Sequence, residues 1–163
     1  MRSSVAAVGY EWEAIVSSPL QRCSSFAQAL SQQKNISLYI EPRFRETHFG
    51  TWEGLSAAEL MQTDGADLQQ LWSDPMSYTP PQAESLSIFA TRVRAAWQQL
   101  LDENAGRRVL LITHGGVIRI LLCDLLRQPL ASMLQFDVAH ASLHRARAEF
   151  VAGQRRVRLE DNV

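Results

Sequence analysis

The run Val109-Leu110-Leu111-Ile112-Thr113, broken by His114-Gly115-Gly116, constrains this chain more than any other segment. A continuous apolar run of this length reads as a strand buried on both faces, the kind found in parallel sheets. Helical spacing resumes at Val117 and continues to about Leu126. A buried strand passing straight into a helix argues for an α/β layered fold. The same arrangement occurs near the start of the chain. Ala14-Ile15-Val16 is a short apolar strand, and Ser17-Ser18-Pro19 follows it. Ser18 suits an N-cap and Pro19 the first helical position, which predicts a helix to about Gln33.

The rest of the chain fits between and after these two units. Ile36 to Ile40 reads as a strand. Arg43 to Leu55, aromatic, charged and twice interrupted by glycine, reads as a loop with ordered side chains. Ser56-Ala57-Ala58-Glu59 is a capping box for a short helix. Three prolines between Asp74 and Pro81 exclude regular structure there. Ser85 caps a long helix whose buried face carries Leu86, Phe89, Val93, Trp97 and Leu100, and Asn104-Ala105-Gly106 stops it. Beyond Pro129 the pattern is β, with a turn at Ala152-Gly153-Gln154. With no repeat or linker, 163 residues at 46% hydrophobic and 20% charged suit a single domain over 1–163.

Charge and cysteine content exclude several classes of function. Sixteen basic and seventeen acidic side chains give a net charge of −1, which supplies no field for nucleic acid or a membrane surface. Arg145, Arg147, Arg155, Arg156 and Arg158 alternate with other residues on terminal strands and read as a solvated face. No apolar run approaches the roughly 18 residues of a membrane span, and the first residues lack a signal-peptide pattern, so a cytoplasmic protein is the expectation. Cys23 and Cys123 read as packed thiols. Ala29 and Pro129 stand where a Cys-x5-Arg phosphatase loop needs arginine. His140 and His144, read as strand residues, lie about 13 Å apart at roughly 3.3 Å per residue, too far to share a metal ion.

The ends of parallel strands are where α/β proteins bind ligands, because the following helices point free N–H groups at that edge. The two junctions place Ser18, Arg22, His114 and Gly115 there, and the aromatic loop adds Glu46, His48 and Trp52. Arginine to clamp oxygens, histidine to meet transition-state charge and a carboxylic acid to protonate a leaving group are parts suited to phosphate chemistry. Taken singly, each has a plainer role: solvated arginine, exposed glutamate, packed tryptophan.

Their order is more specific. Ser-Ser-Pro-Leu-Gln-Arg (17–22), Glu-Thr-His-Phe-Gly-Thr-Trp-Glu-Gly (46–54), Glu-Ser (84–85) and Thr-His-Gly-Gly-Val-Ile-Arg (113–119) resemble blocks of the histidine phosphatase, or phosphoglycerate mutase-like, superfamily. Within it the chain is most similar to small bacterial phosphatases, including the α-ribazole phosphatase type of cobalamin biosynthesis. The resemblance implies a three-layer α/β/α fold and metal-independent, cofactor-free hydrolysis of a small phosphomonoester. It implies that Arg22 and Gly115 hold phosphate and that Glu46 and His114 are catalytic. Ser18, His48, Trp52 and Glu84 become pocket candidates, although Ala83 replaces the glycine of a Gly-Glu-Ser segment.

The family's Arg-His-Gly block, which carries the nucleophilic histidine, does not occur in this sequence. Met1 to Val8 resembles the later part of the helix that follows that block. The expectation is therefore an N-terminally truncated domain lacking its first strand, about 40 residues short, and inactive as written. The alternative is a non-catalytic pseudophosphatase that binds a phosphorylated ligand or a protein partner.

Overall fold

A computed structural model describes residues 11–160; the expectation for Met1 to Val8 lies outside the described residues. Three parallel strands form the sheet in the order β2-β1-β3: β1 (Ala14–Ser17), β2 (Leu38–Ile40) and β3 (Val109–Ile112). Ile15 sits opposite Leu38 on one side and Leu110 on the other. All four residues of β1 are buried, as a central parallel strand requires. The side chains of β1 alternate between two cores. Ile15 meets Cys23, Ala27 and Leu30 of α1 (Gln21–Lys34), while Val16 joins a larger core with Phe89, Val93, Val117 and Ile120. These last come from α4 (Leu86–Glu103) and α5 (Gly115–Leu125). Helices thus cover both faces of the sheet, which is the layered α/β arrangement the sequence predicts.

Between β2 and α4 the chain builds a separate unit. Its helices α2 (Ala57–Thr63) and α3 (Gly65–Ser73) bring Leu60 and Leu68 against Trp52, whose ring stacks on Tyr78 at 5.9 Å. The base of this unit is pinned to itself. Thr51 N–H donates to the Pro81 carbonyl (3.0 Å) and Glu84 N–H to the His48 carbonyl (2.9 Å). Gly50, at φ +60°, lies so near Pro81 and Ala83 that no side chain fits there. The remaining strands, β4 (Arg145–Val151) and β5 (Gln154–Glu160), form an antiparallel hairpin of their own.

Several boundaries differ from expectation. Helix α1 begins at Gln21, not Pro19, and Leu20 is its N-cap; the Ser18 hydroxyl is directed elsewhere, as described below. Helix α3 was not foreseen, because Gly65 reads as a breaker although it stands at a first helical position where its missing side chain costs little. Helix α5 starts two residues early, directly after His114. Strand β4 begins only at Arg145, so neither His140 nor His144 lies in a strand. The hairpin arginines are largely engaged: Arg155 pairs with Asp102, Arg147 with Glu160 and Arg158 with Glu149. Among the described residues no helix is long and apolar enough to cross a membrane.

Candidate active site

The carboxyl ends of β1 and β3 meet where Ser18 N–H donates to the Ile112 carbonyl at 2.9 Å. Above this contact His114 caps α5 and is only 6% exposed. Its Nε2 lies 2.6 Å from Ser18 Oγ, and its Nδ1 lies 3.1 Å from Arg22 Nε. A guanidinium only donates, so Nδ1 must accept and the ring proton must sit on Nε2, donated to Ser18. The Ser18 oxygen also accepts Leu20 N–H at 3.2 Å. This pattern excludes a serine–histidine hydrolase, since an Nε2 that already carries its proton cannot take one from Ser18. Burial, reinforced by the charges of Arg22 and Arg92, pushes the His114 pKa down to about 4. The imidazole is therefore neutral at neutral pH and acts as a hydrogen-bond donor.

Cys23 adds a thiol that no sequence pattern placed here. Its Sγ lies 3.7 and 3.6 Å from the two ring nitrogens of His114. Burial raises its pKa, so it is a packed thiol.

Glu46 reaches the same edge from the loop after β2. Its Oε2 accepts Gly116 N–H at 3.0 Å, at the positive end of α5, and its Oε1 accepts Thr47 N–H at 3.0 Å. The two glycines of the His-Gly-Gly turn are unequal. A Cβ on Gly116 would overlap the Glu46 carboxylate and lie 3.1 Å from the Phe89 ring, whereas one on Gly115 would meet only the mobile end of Arg119 at 3.0 Å. Close approach therefore depends on Gly116, which the sequence reading passed over for Gly115.

The other candidates are placed apart from this cluster. His48 is exposed and accepts Gly50 N–H through Nδ1 at 3.1 Å. Trp52 is buried in the small core of the insertion. Glu84 is committed to Arg92 in a two-pronged ion pair of 2.7 and 2.6 Å. Arg92 was not singled out in the sequence, where an arginine on a helix looks like any solvated one. Among the described residues no three His, Cys, Asp or Glu side chains cluster to hold a metal.

Arginine, neutral imidazole and carboxylate thus meet at one sheet edge, in the order and spacing of the sequence blocks. A model of the histidine phosphatase superfamily (branch 1) matches residues 4–161. The chain belongs to this superfamily. Among its curated relatives, a glucosyl-3-phosphoglycerate phosphatase of Mycobacterium tuberculosis is 31% identical over 126 residues, covering 72% of this chain and 56% of that protein. An adenosylcobalamin/alpha-ribazole phosphatase of Escherichia coli is 25% identical over 130 residues, covering 80% and 64%. The solved structure of Bacillus stearothermophilus YhfR superposes with a TM-score of 0.84 at 28% identity, covering 99% of this chain and 80% of that one. The chain spans 30–64% of the length of the curated relatives it matches. The chain has the phosphoglycerate mutase-like fold.

Proposed function

We propose that this chain is a phosphomonoester-handling domain, one unit over 1–163, whose ligand phosphate sits between Arg22, His114 and Glu46. The observation that carries this is the forced proton position on His114. With Arg22 donating to Nδ1, the ring proton sits on Nε2, where Ser18 accepts it, and an anionic ligand oxygen that displaces the Ser18 hydroxyl would take over that donor. In phosphoryl transfer, positioning and charge stabilisation supply most of the acceleration. Arg22 binds the non-bridging oxygens, with Gly115 at the turn beside them. His114 donates to the oxygen that gains charge. Were a nucleophile to attack phosphorus, Glu46 in its protonated form would stand where it can give its proton to the leaving alkoxide as the old phosphorus–oxygen bond breaks and the new one forms.

The substrate class is a small phosphomonoester handled in the cytoplasm; α-ribazole 5′-phosphate of cobalamin biosynthesis is the candidate the sequence blocks suggest, and the phosphatase relatives include that type beside a glucosyl-3-phosphoglycerate phosphatase. Without an Arg-His-Gly block the 163 residues hold no histidine placed as nucleophile, so turnover by this chain alone is expected to be negligible. The same absence favours a second reading, a pseudophosphatase that binds a phosphorylated ligand.

Two measurements on the purified chain test the proposal. Inorganic phosphate at millimolar concentration should raise the melting midpoint, and Arg22→Ala should remove that rise; a midpoint indifferent to phosphate would sink the phosphate site. Incubation with p-nitrophenyl phosphate should give no hydrolysis above buffer. Hydrolysis that His114→Ala abolishes would overturn the expectation of inactivity.

A further inference from the structure

We infer that Arg92, on α4, is the positioning residue that sets Glu46 against α5. Its guanidinium has five N–H groups, and each finds an oxygen. Nε donates to Glu84 Oε1 at 2.7 Å and Nη2 to Glu84 Oε2 at 2.6 Å. Nη1 donates to the carbonyls of Arg43 (2.6 Å) and Arg45 (2.8 Å), and Nη2 also donates to that of Glu46 (3.1 Å). With every donor spent on protein, Arg92 has none to offer a ligand and acts only through what it holds. It holds the backbone on which Glu46 rides, while Glu84 fixes the other side of the fork.

A second contact joins Arg92 to the other half of the Glu46–Gly116 hydrogen bond. The guanidinium carbon stands 4.7 Å over the Phe89 ring, and that ring lies against Gly116. Arg92 therefore touches the carboxylate's own backbone and the wall behind the amide that receives it. The arrangement needs a planar fork; a lysine keeps the charge but presents one nitrogen and cannot span three carbonyls and a carboxylate. Cys23 on α1 feels the Glu46 carboxylate and Arg22, and His114 at the start of α5 feels Arg22 and Arg92.

The catalytic meaning of this placement rests on the proposed phosphatase reading, but the placement itself can be tested without turnover. The readout is the amide resonance of Gly116, followed by NMR from pH 3 to 7 in roughly half-unit steps. In the unsubstituted chain the Gly116 amide should shift across this range, and Glu46→Gln should abolish that step. Arg92→Lys should shrink the step by more than half, because the carboxylate no longer meets the amide. A step of full size and unchanged midpoint in Arg92→Lys, accompanied only by a lower melting midpoint, would reduce Arg92 to a structural residue and overturn the inference. Absence of the step in the unsubstituted chain would overturn it too. Should Arg92→Lys fail to fold, Glu84→Gln decides: it leaves the guanidinium in place but unanchored, and the step should again shrink, whereas a full step refutes the role. Failure of the phosphatase reading looks different. There the Gly116 step persists while inorganic phosphate shifts no resonance at Arg22 or His114.

Discussion

The two strand-to-helix junctions stand side by side on one sheet edge and contribute opposite things. At the β1 junction three residues, Ser18 to Leu20, separate strand from helix. The Ser18 hydroxyl takes the Leu20 amide, and what α1 presents to the site is a side chain, Arg22. At the β3 junction two residues, Thr113 and His114, lie between strand and helix, and α5 presents a backbone amide, that of Gly116. Pro19-Leu20 against Gly115-Gly116 accounts for the contrast. A proline lacks the N–H that such a turn would offer, and paired glycines expose theirs. One edge thereby holds a fixed positive side chain and a fixed amide dipole within reach of a single histidine.

The largest test of this contrast is acid. His114 has a folded pKa near 4 against 6.5 when unfolded, so below pH 6.5 the unfolded chain binds the extra proton. Stability present above pH 6.5 is lost as pH falls toward 4, by up to about 3 kcal/mol. Denaturant midpoints measured across this window should lose that component in His114→Asn, which also separates it from the smaller contribution of His144, whose pKa burial lowers. Equal pH slopes in the two proteins would show that the ring is not held neutral. Next in size, Gly116→Ala should cost about 2 kcal/mol through overlap with Glu46 and Phe89, read as a lower urea midpoint. Ser18→Ala should cost about 1–2 kcal/mol by leaving the buried Nε2–H without an acceptor. The smallest effect belongs to Gly115→Ala, within about 0.5 kcal/mol of zero, since the Arg119 end group moves aside and alanine favours helix. Equal costs at positions 115 and 116 would erase the distinction between the two glycines.

The strands and the histidine were legible because a strand packed on both faces is a continuous apolar run, and Val109 to Ile112 is one, with Leu110 and Ile112 buried and Val109 and Leu111 partly so. The placement of Arg22, Glu46 and His114 at one sheet edge was legible through its ordered blocks. Arg92 was not, because three of its partners lie 46 to 49 residues earlier and are backbone carbonyls, which leave no trace in side-chain identity. The thiol of Cys23 beside His114 was hidden for a similar reason, a separation of 91 residues. Glu84 illustrates a different limit. Sequence order placed it correctly in a block, but only the fold shows that its carboxylate is taken up by an arginine.

The clasp at the base of the insertion has an evolutionary corollary. Residues 48–51 and 81–84 close on each other through backbone hydrogen bonds and through Gly50. Everything from about position 55 to 79 hangs from that closure with its own small core, so it forms a cassette. Its length and surface are free to drift, since replacing it leaves the loop that carries Glu46 anchored from below. Position 50, by contrast, admits no residue but glycine, and a change there loosens the cassette and the Glu84 side of the fork together.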